Sequence, residues 1–253
     1  MKQKSIWSTS EDGSIEYLQI TEGLLQESLE AMHRSFYINE NVCVALGLPD
    51  RPECFPEMDK LVTWVAEDGI SIAAVDKATG KVAGVAFNKL HVCVEDILTG
   101  TDTMDVFAKH LKLCEHSEVR NLLQWMCDIE KIFDICEHCK VKTAMEIMFV
   151  GILPEFRKRG IAKKLFEVSI SIAKRLSHGK EDKVISNGTT LAITRPPEIV
   201  TAICTSFITH KIAEQLRFEL GAEMGFDRFE YDGRSLASKI AHSQNLTFEF
   251  LRL

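Results

Sequence analysis

The chain has 253 residues, 45% hydrophobic and 26% charged, a composition that can bury a continuous core without disulfides or metals. Its formal net charge of -7 disfavours nucleic acid and acidic membrane surfaces as partners and tolerates cationic ligands. No apolar run reaches the roughly 20 residues that span a bilayer and the N-terminus lacks a signal-like apolar stretch, so a cytoplasmic protein with its eight cysteines reduced is expected.

In chain order, residues 15–20 read as a strand and 22–34 as a helix, with Leu24, Leu25, Leu29 and Met32 at helical spacing. Pro49, Pro52 and Pro56 mark a loop before a second helix near 57–67. Residues 71–76 and 82–94 flank Ala78-Thr79-Gly80-Lys81 and predict a β-hairpin. Residues 103–113 and 118–136 read as helices, the second with Leu122, Leu123, Met126, Ile129 and Phe133 on one side. Residues 146–153 are continuously apolar after Glu146 and end at Pro154, as a strand covered on both faces would. A helix over 160–176 turns Ile161, Leu165, Val168, Ile172 and Leu176 inward. Residues 179–197 read as a polar loop, 198–204 as a strand and 206–216 as a helix; 223–231 and 247–253 predict a late antiparallel pair. Nothing reads as a linker, so residues 1–253 are expected to form one α/β domain, with helices on both faces of the sheet.

Cys136-Glu137-His138-Cys139 is a C-x-x-C. A structural zinc site needs a second ligand pair at comparable spacing, and the next cysteine is Cys204. The pair also ends a helix rather than opening one. Buried or half-buried thiols, and no metal, are therefore expected.

The chemistry concentrates in Pro154-Glu155-Phe156-Arg157-Lys158-Arg159-Gly160-Ile161-Ala162, where a buried strand meets a helix. A helix N-terminus offers unpaired N–H groups and the positive end of a dipole to phosphate oxygens. Gly160 and Ala162 leave room for a diphosphate to approach the backbone, and Arg157, Lys158 and Arg159 add charge. A P-loop or a Rossmann fingerprint would need glycines that are absent.

Arg157-x-x-Gly160-x-Ala162, directly after a strand and before an amphipathic helix, resembles the signature of the GCN5-related N-acetyltransferase (GNAT) superfamily. The resemblance implies a mixed, mostly antiparallel sheet of about seven strands, splayed at an acetyl-CoA site within residues 146–220. It implies that Val150, Gly151 and Ile152 line the pantetheine arm, with the Ile152 N–H toward the thioester oxygen. Arg157, Lys158, Arg159, Gly160, Ile161, Ala162 and Ser206 would complete the cofactor contacts.

Two further segments resemble the insect arylalkylamine N-acetyltransferases. Ser35-Phe36-Tyr37-Ile38-Asn39-Glu40-Asn41 matches that group's aromatic pair followed by Asp-Glu-Pro-Leu, with Asn39, Asn41 and Val42 as departures. The group's general base falls on Glu40, and Phe36 and Tyr37 fall in the amine pocket or the core beneath it. The segment from Cys204 to Leu220 matches the strand-to-helix junction Cys-Ser-Ser-x-x-Ser and the Lys-Leu-Gly-Phe-Glu ending. Its hydroxyls fall on Thr205, Ser206 and Thr209, and Arg217 stands where the group has glycine. The resemblance implies direct acetyl transfer from acetyl-CoA to an arylalkylamine or an agmatine- or polyamine-like amine, by a monomer. Glu40 would be the base, with Thr205 or Thr209 serving the leaving thiolate and His210 as an outside candidate. Without the resemblance, Glu40 reads as a solvated charge and the hydroxyls as helix caps. A peptide N-acetyltransferase of the same fold and a non-catalytic acetyl-CoA-binding module are the alternatives.

Overall fold

A computed structural model describes residues 6–92, 103–179, 183–184, 188–191, 195–240 and 243–253. The chain opens with an antiparallel pair, β1 (Ile6–Thr9) and β2 (Ile15–Gln19), followed by helix α1 (Glu22–His33). Two short helices, α2 (Phe36–Asn39) and α3 (Asn41–Leu46), precede α4 (Phe55–Ala66), whose first turn carries Pro56. The hairpin β3 (Ile72–Asp76) and β4 (Val82–Val92) leads to α5 (Thr103–Leu113), α6 (Ser117–Ile132) and α7 (Ile135–Cys139). Then come β5 (Thr143–Ile152), α8 (Ile161–Ser177) and a small hairpin of β6 (Lys183–Val184) and β7 (Thr190–Leu191). The chain closes with β8 (Ile199–Cys204), α9 (Phe207–Gln215), β9 (Glu219–Gly225), a hairpin of β10 (Glu230–Tyr231) and β11 (Arg234–Ser235), and β12 (Asn245–Arg252).

The main sheet has eight strands in the order β1-β2-β3-β4-β5-β8-β12-β9. It is antiparallel except where β5 meets β8. One face carries α1 to α4 and α6 over a core that includes Met32, Tyr37, Phe87, Leu122 and Phe149. The other carries α8 and α9 over Ile147, Ile161, Leu165, Phe166, Val200 and Ala213. The five inward positions read for α8 are all buried, as an amphipathic stripe at 3.6-residue spacing requires. No helix among the described residues is long and apolar enough to cross a membrane.

The sheet has β1 in addition to the expected strands. The strand read over 146–153 begins at Thr143, because Ala144 to Glu146 form the parallel ladder with β8. The helix read over 118–136 breaks where Phe133 is extended and Asp134 caps α7, accepting from the N–H groups of Cys136 and Glu137 at 2.9 Å. The strand read over 223–231 is Glu219–Gly225 instead, because Phe226 and Phe229 turn into the core. Cys136 is disulfide-bonded, which corrects the expectation of eight thiols, whereas Cys139 is a buried thiol. Residues 93–94 of the hairpin reading and part of 179–197 lie outside the described residues.

Candidate functional site

The parallel ladder between β5 and β8 runs from Ala144↔Ile199 to Glu146↔Thr201. Beyond it, β5 continues to Ile152 paired with β4, and β8 continues to Cys204 paired with β12. The two strands therefore diverge into a fork. The divergence coincides with a register shift in the β4–β5 ladder, where Phe87 faces Phe149 and Asn88 faces Ile147, leaving Met148 as the extra residue. Such a bulge bends its strand and increases the local twist. It also sends Met148 and Phe149 to the same core.

Alternation fixes which backbone groups face the fork. The Leu153 N–H donates to the Ala83 carbonyl on β4 at 3.0 Å, so the N–H and C=O of Ile152 point to the opposite, open edge. The Arg157 guanidinium donates to the Ile152 carbonyl at 3.3 Å, which sets a cation at that edge. Val150 and Ile152 turn their side chains into the α8-side core. Gly151 faces α1 and α2: a Cβ there would collide with the Ser35 hydroxyl and approach the Phe36 N–H at 3.5 Å. Gly151 thus lets the Ser35–Phe36 segment lie directly on β5, a packing reason for a glycine that the sequence reading placed with the cofactor.

At the fork's end, Gly160 is the N-cap residue of α8, with φ of 74° and no side-chain cap on the helix. Open space surrounds the position a Cβ would occupy. The first helical bond is Lys164 N–H to the Gly160 carbonyl at 3.0 Å, so the amides of the preceding turn are free of helix acceptors. Ile161 buries its side chain beneath this turn and Ala162 is half-buried beside it. Lys158, also at positive φ (62°), is exposed with Arg157 and Arg159. Arg159 reaches the Ser14 hydroxyl at 3.1 Å and stacks over Phe156. An uncapped helix end with open space and three cations suits a diphosphate.

The other candidate residues converge at the far limb. Glu40 ends α2 and caps α3, accepting from the Cys43 N–H at 2.8 Å. Its second oxygen accepts from the Thr205 hydroxyl at 2.6 Å, and Asn41 donates its amide to the Thr205 carbonyl at 2.6 Å. Glu40 is thus both the cap that the residue type suggests and a carboxylate held at the end of β8. Ser206 caps α9: it accepts from the Thr209 N–H at 3.2 Å, and the Thr209 hydroxyl returns to the Ser206 carbonyl at 2.9 Å. Thr205 joins Glu40; Thr209 is satisfied within its own helix turn.

Phe36 packs edge-on against Phe149 with ring centroids 5.3 Å apart, half-buried under the fork. Tyr37 is fully buried, donates to Asp59 at 2.9 Å and packs against His33 and Phe55. The Tyr37 ring supports α2 from beneath. His210 is tied to Glu249 on β12 at 2.6 Å, and Glu249 lies across from Ala202, so His210 sits on the far side of β8 from the fork. Glu249, 2% exposed, is further held by the Thr247 hydroxyl at 2.8 Å. The sequence reading missed this pairing because its halves lie on separate elements.

Two cysteines border the site. Burial first, and then Glu249, pushes the Cys204 thiol up to about 12. Burial, reinforced by Glu40, holds Cys43 well above the ordinary thiol range. Neither offers a thiolate near neutrality. Arg217 adopts φ of 64°, a left-handed conformation that glycine takes without strain.

No protein-family model and no curated protein sequence matches the chain. Among solved structures, it is similar to arylalkylamine N-acetyltransferase 2 from Aedes aegypti, with a TM-score of 0.72 at 16% identity over 94% of this chain and 98% of that one. It is similar to the Drosophila melanogaster polyamine N-acetyltransferase that forms N-acetylagmatine, with a TM-score of 0.65 at 14% identity over 94% and 100%. It is also similar to the C-terminal condensation domain of Ebony in complex with beta-alanyl-dopamine, with a TM-score of 0.57 at 12% identity over 94% and 99%. The chain has the GNAT fold, in the form seen in the insect arylalkylamine N-acetyltransferases.

Proposed function

We propose that the protein transfers the acetyl group of acetyl-CoA to the primary amine of a small arylalkylamine or a related agmatine- or polyamine-like amine. The observation that carries the reading is the fork: one open strand edge connects the uncapped α8 N-terminus to the Glu40–Thr205 pair. A diphosphate on the amides around Gly160 lays the pantetheine arm along β5. The acetyl carbonyl then meets the Ile152 N–H, a donor suited to a developing oxyanion.

An alkylamine has a pKa of about 10 and arrives protonated. Glu40 takes that proton, directly or through water. The amine nitrogen attacks the thioester carbon, the C–N bond forms and the C–S bond breaks; the second nitrogen proton passes to the departing sulfur, directly or through water, and coenzyme A leaves as its thiol. Thr205 donates its hydroxyl proton to Glu40 and holds the carboxylate in place; once Glu40 is protonated it can donate to the Thr205 oxygen, which frees the hydroxyl proton for the departing sulfur. The raised thiols of Cys204 and Cys43 favour this direct route over an acyl-cysteine intermediate. The Aedes and Drosophila proteins that share the fold act on amines by name, in keeping with the proposed acceptor.

The test is thiol release from acetyl-CoA with a panel of arylalkylamines, agmatine, polyamines and Lys-rich peptides. Amine-dependent release supports the reading; preference for peptides moves the acceptor to proteins. Coenzyme binding without release on any acceptor leaves a binding module.

A further inference from the structure

We propose that Asn41 is a positioning residue, which clamps Thr205 across the mouth of the fork and so sets that hydroxyl on Glu40. The kinetic consequence rests on the acetyl-transfer reading; the mechanical one does not. Thr205 is the first residue beyond β8. Its parallel partner β5 has already diverged, and the β8–β12 ladder ends one position earlier, at Cys204↔Thr247. The sheet therefore supplies no partner for the Thr205 carbonyl, an acceptor that needs one when half-buried. Asn41 supplies it at 2.6 Å across 164 positions of sequence. The neighbouring Glu40 holds the same residue by its hydroxyl, also at 2.6 Å. One bond alone would leave Thr205 free to swing about the other; two fix both its backbone and its side chain.

The anchor end is equally fixed. Asn41 opens α3, whose cap is Glu40, and the preceding segment rests on β5 through Ser35 and Gly151. The clamp thus ties the β5 limb to the β8 limb on the acceptor side. Only an amide serves: a carboxylate of the same shape has no proton to donate to a carbonyl, and the proline of the resembling group has no donor at all.

The experiment uses the full chain with Asn41→Asp, which keeps the shape, and Asn41→Ala, which adds no charge, each alone and combined with Thr205→Val. The clamp predicts a kcat lowered about tenfold in both single variants, the effect of one buried hydrogen bond, with KM for acetyl-CoA within about twofold. In the Thr205→Val background the further loss should fall below about twofold, because the hydroxyl being positioned is gone. Unchanged kcat, or equal losses in both backgrounds, overturns the kinetic role. Amide hydrogen exchange of the peptide covering residues 203–209 tests the clamp without turnover: about tenfold faster exchange in both Asn41 variants is expected, and unchanged exchange overturns it. If the wild-type chain acetylates no acceptor, the acetyl-transfer reading fails and exchange alone decides the clamp.

Discussion

The two limbs of the fork differ in how they are assembled. The limb proposed for the cofactor takes the strand end, the turn and the first helical amides from one short stretch around Gly160. The limb proposed for the acceptor joins Glu40 and Asn41 from one face of the sheet to Thr205 just beyond β8, 165 positions from Glu40. A site made of consecutive backbone is robust to side-chain change and visible as a short motif. A site made of distant side chains depends on packing that no local pattern encodes, so single substitutions should harm it through positioning while leaving the cofactor limb intact.

The largest expected separation comes from Glu40→Gln. It keeps the shape and the contact to Thr205 but removes the proposed base, so kcat should fall about 100- to 1000-fold while acetyl-CoA affinity, measured by calorimetry, stays within about twofold. Comparable losses in both quantities would mean that the limbs are not separable. Gly160→Val is the converse. A β-branched residue at φ of 74° is strained and intrudes on the diphosphate, so acetyl-CoA affinity should weaken about 30-fold, the equivalent of about 2 kcal/mol. Retained affinity would remove the helix N-terminus from the cofactor site.

Gly151→Ala sharpens the comparison, because Gly151 touches both limbs. The added methyl collides with the Ser35 hydroxyl, itself buried and bonded to the Ala31 carbonyl. A cost of about 1–3 kcal/mol in denaturant unfolding is expected, along with a lower kcat as the Glu40 segment shifts and little change in cofactor affinity. A stable, fully active variant would show that the α1–α2 segment need not lie on the strand.

The smallest effect lies at the base of the fork, where the β5–β8 ladder ends at Glu146, and serves as a control. His91 pairs with Glu146 at 2.8 Å. Burial works against its charge, but the Glu146 bond and charge outweigh it and the His91 pKa is raised. Its contribution is therefore fully present below the ordinary histidine value of about 6.5 and lost as pH rises through the raised value. Unfolding free energy should drop by about 1 kcal/mol or less across that window, and His91→Asn should flatten the step. A matching step in acetyl-CoA affinity would contradict the independence of this pair from the fork.

The same contrast explains what the sequence could reveal. The α8 stripe, the buried strand before it and the basic turn are local and periodic, and they stand where the pattern puts them. The fork itself was legible through resemblance, since a ladder that stops at Glu146↔Thr201 leaves no mark in residue type. Strand β9 escaped because Glu219–Gly225 is rich in Glu and Gly, while the apolar Phe226 and Phe229 beside it belong to a turn into the core. Tyr37 stays open in the sequence because an aromatic beside a carboxylate can serve a pocket or a core; in the fold it is buried and bonded to Asp59, 22 positions away. The double hold on Thr205 was invisible: Asn41 looked like a departure from a motif until the fold brought β8 to it.

The most direct test is a crystal structure of the chain grown with acetyl-CoA. The account predicts the diphosphate on the amides around Gly160 and Ala162, and the acetyl carbonyl between β5 and β8 within reach of the Ile152 N–H and the Glu40 side. Coenzyme bound elsewhere, or a fork closed by protein side chains while coenzyme is saturating, would contradict it.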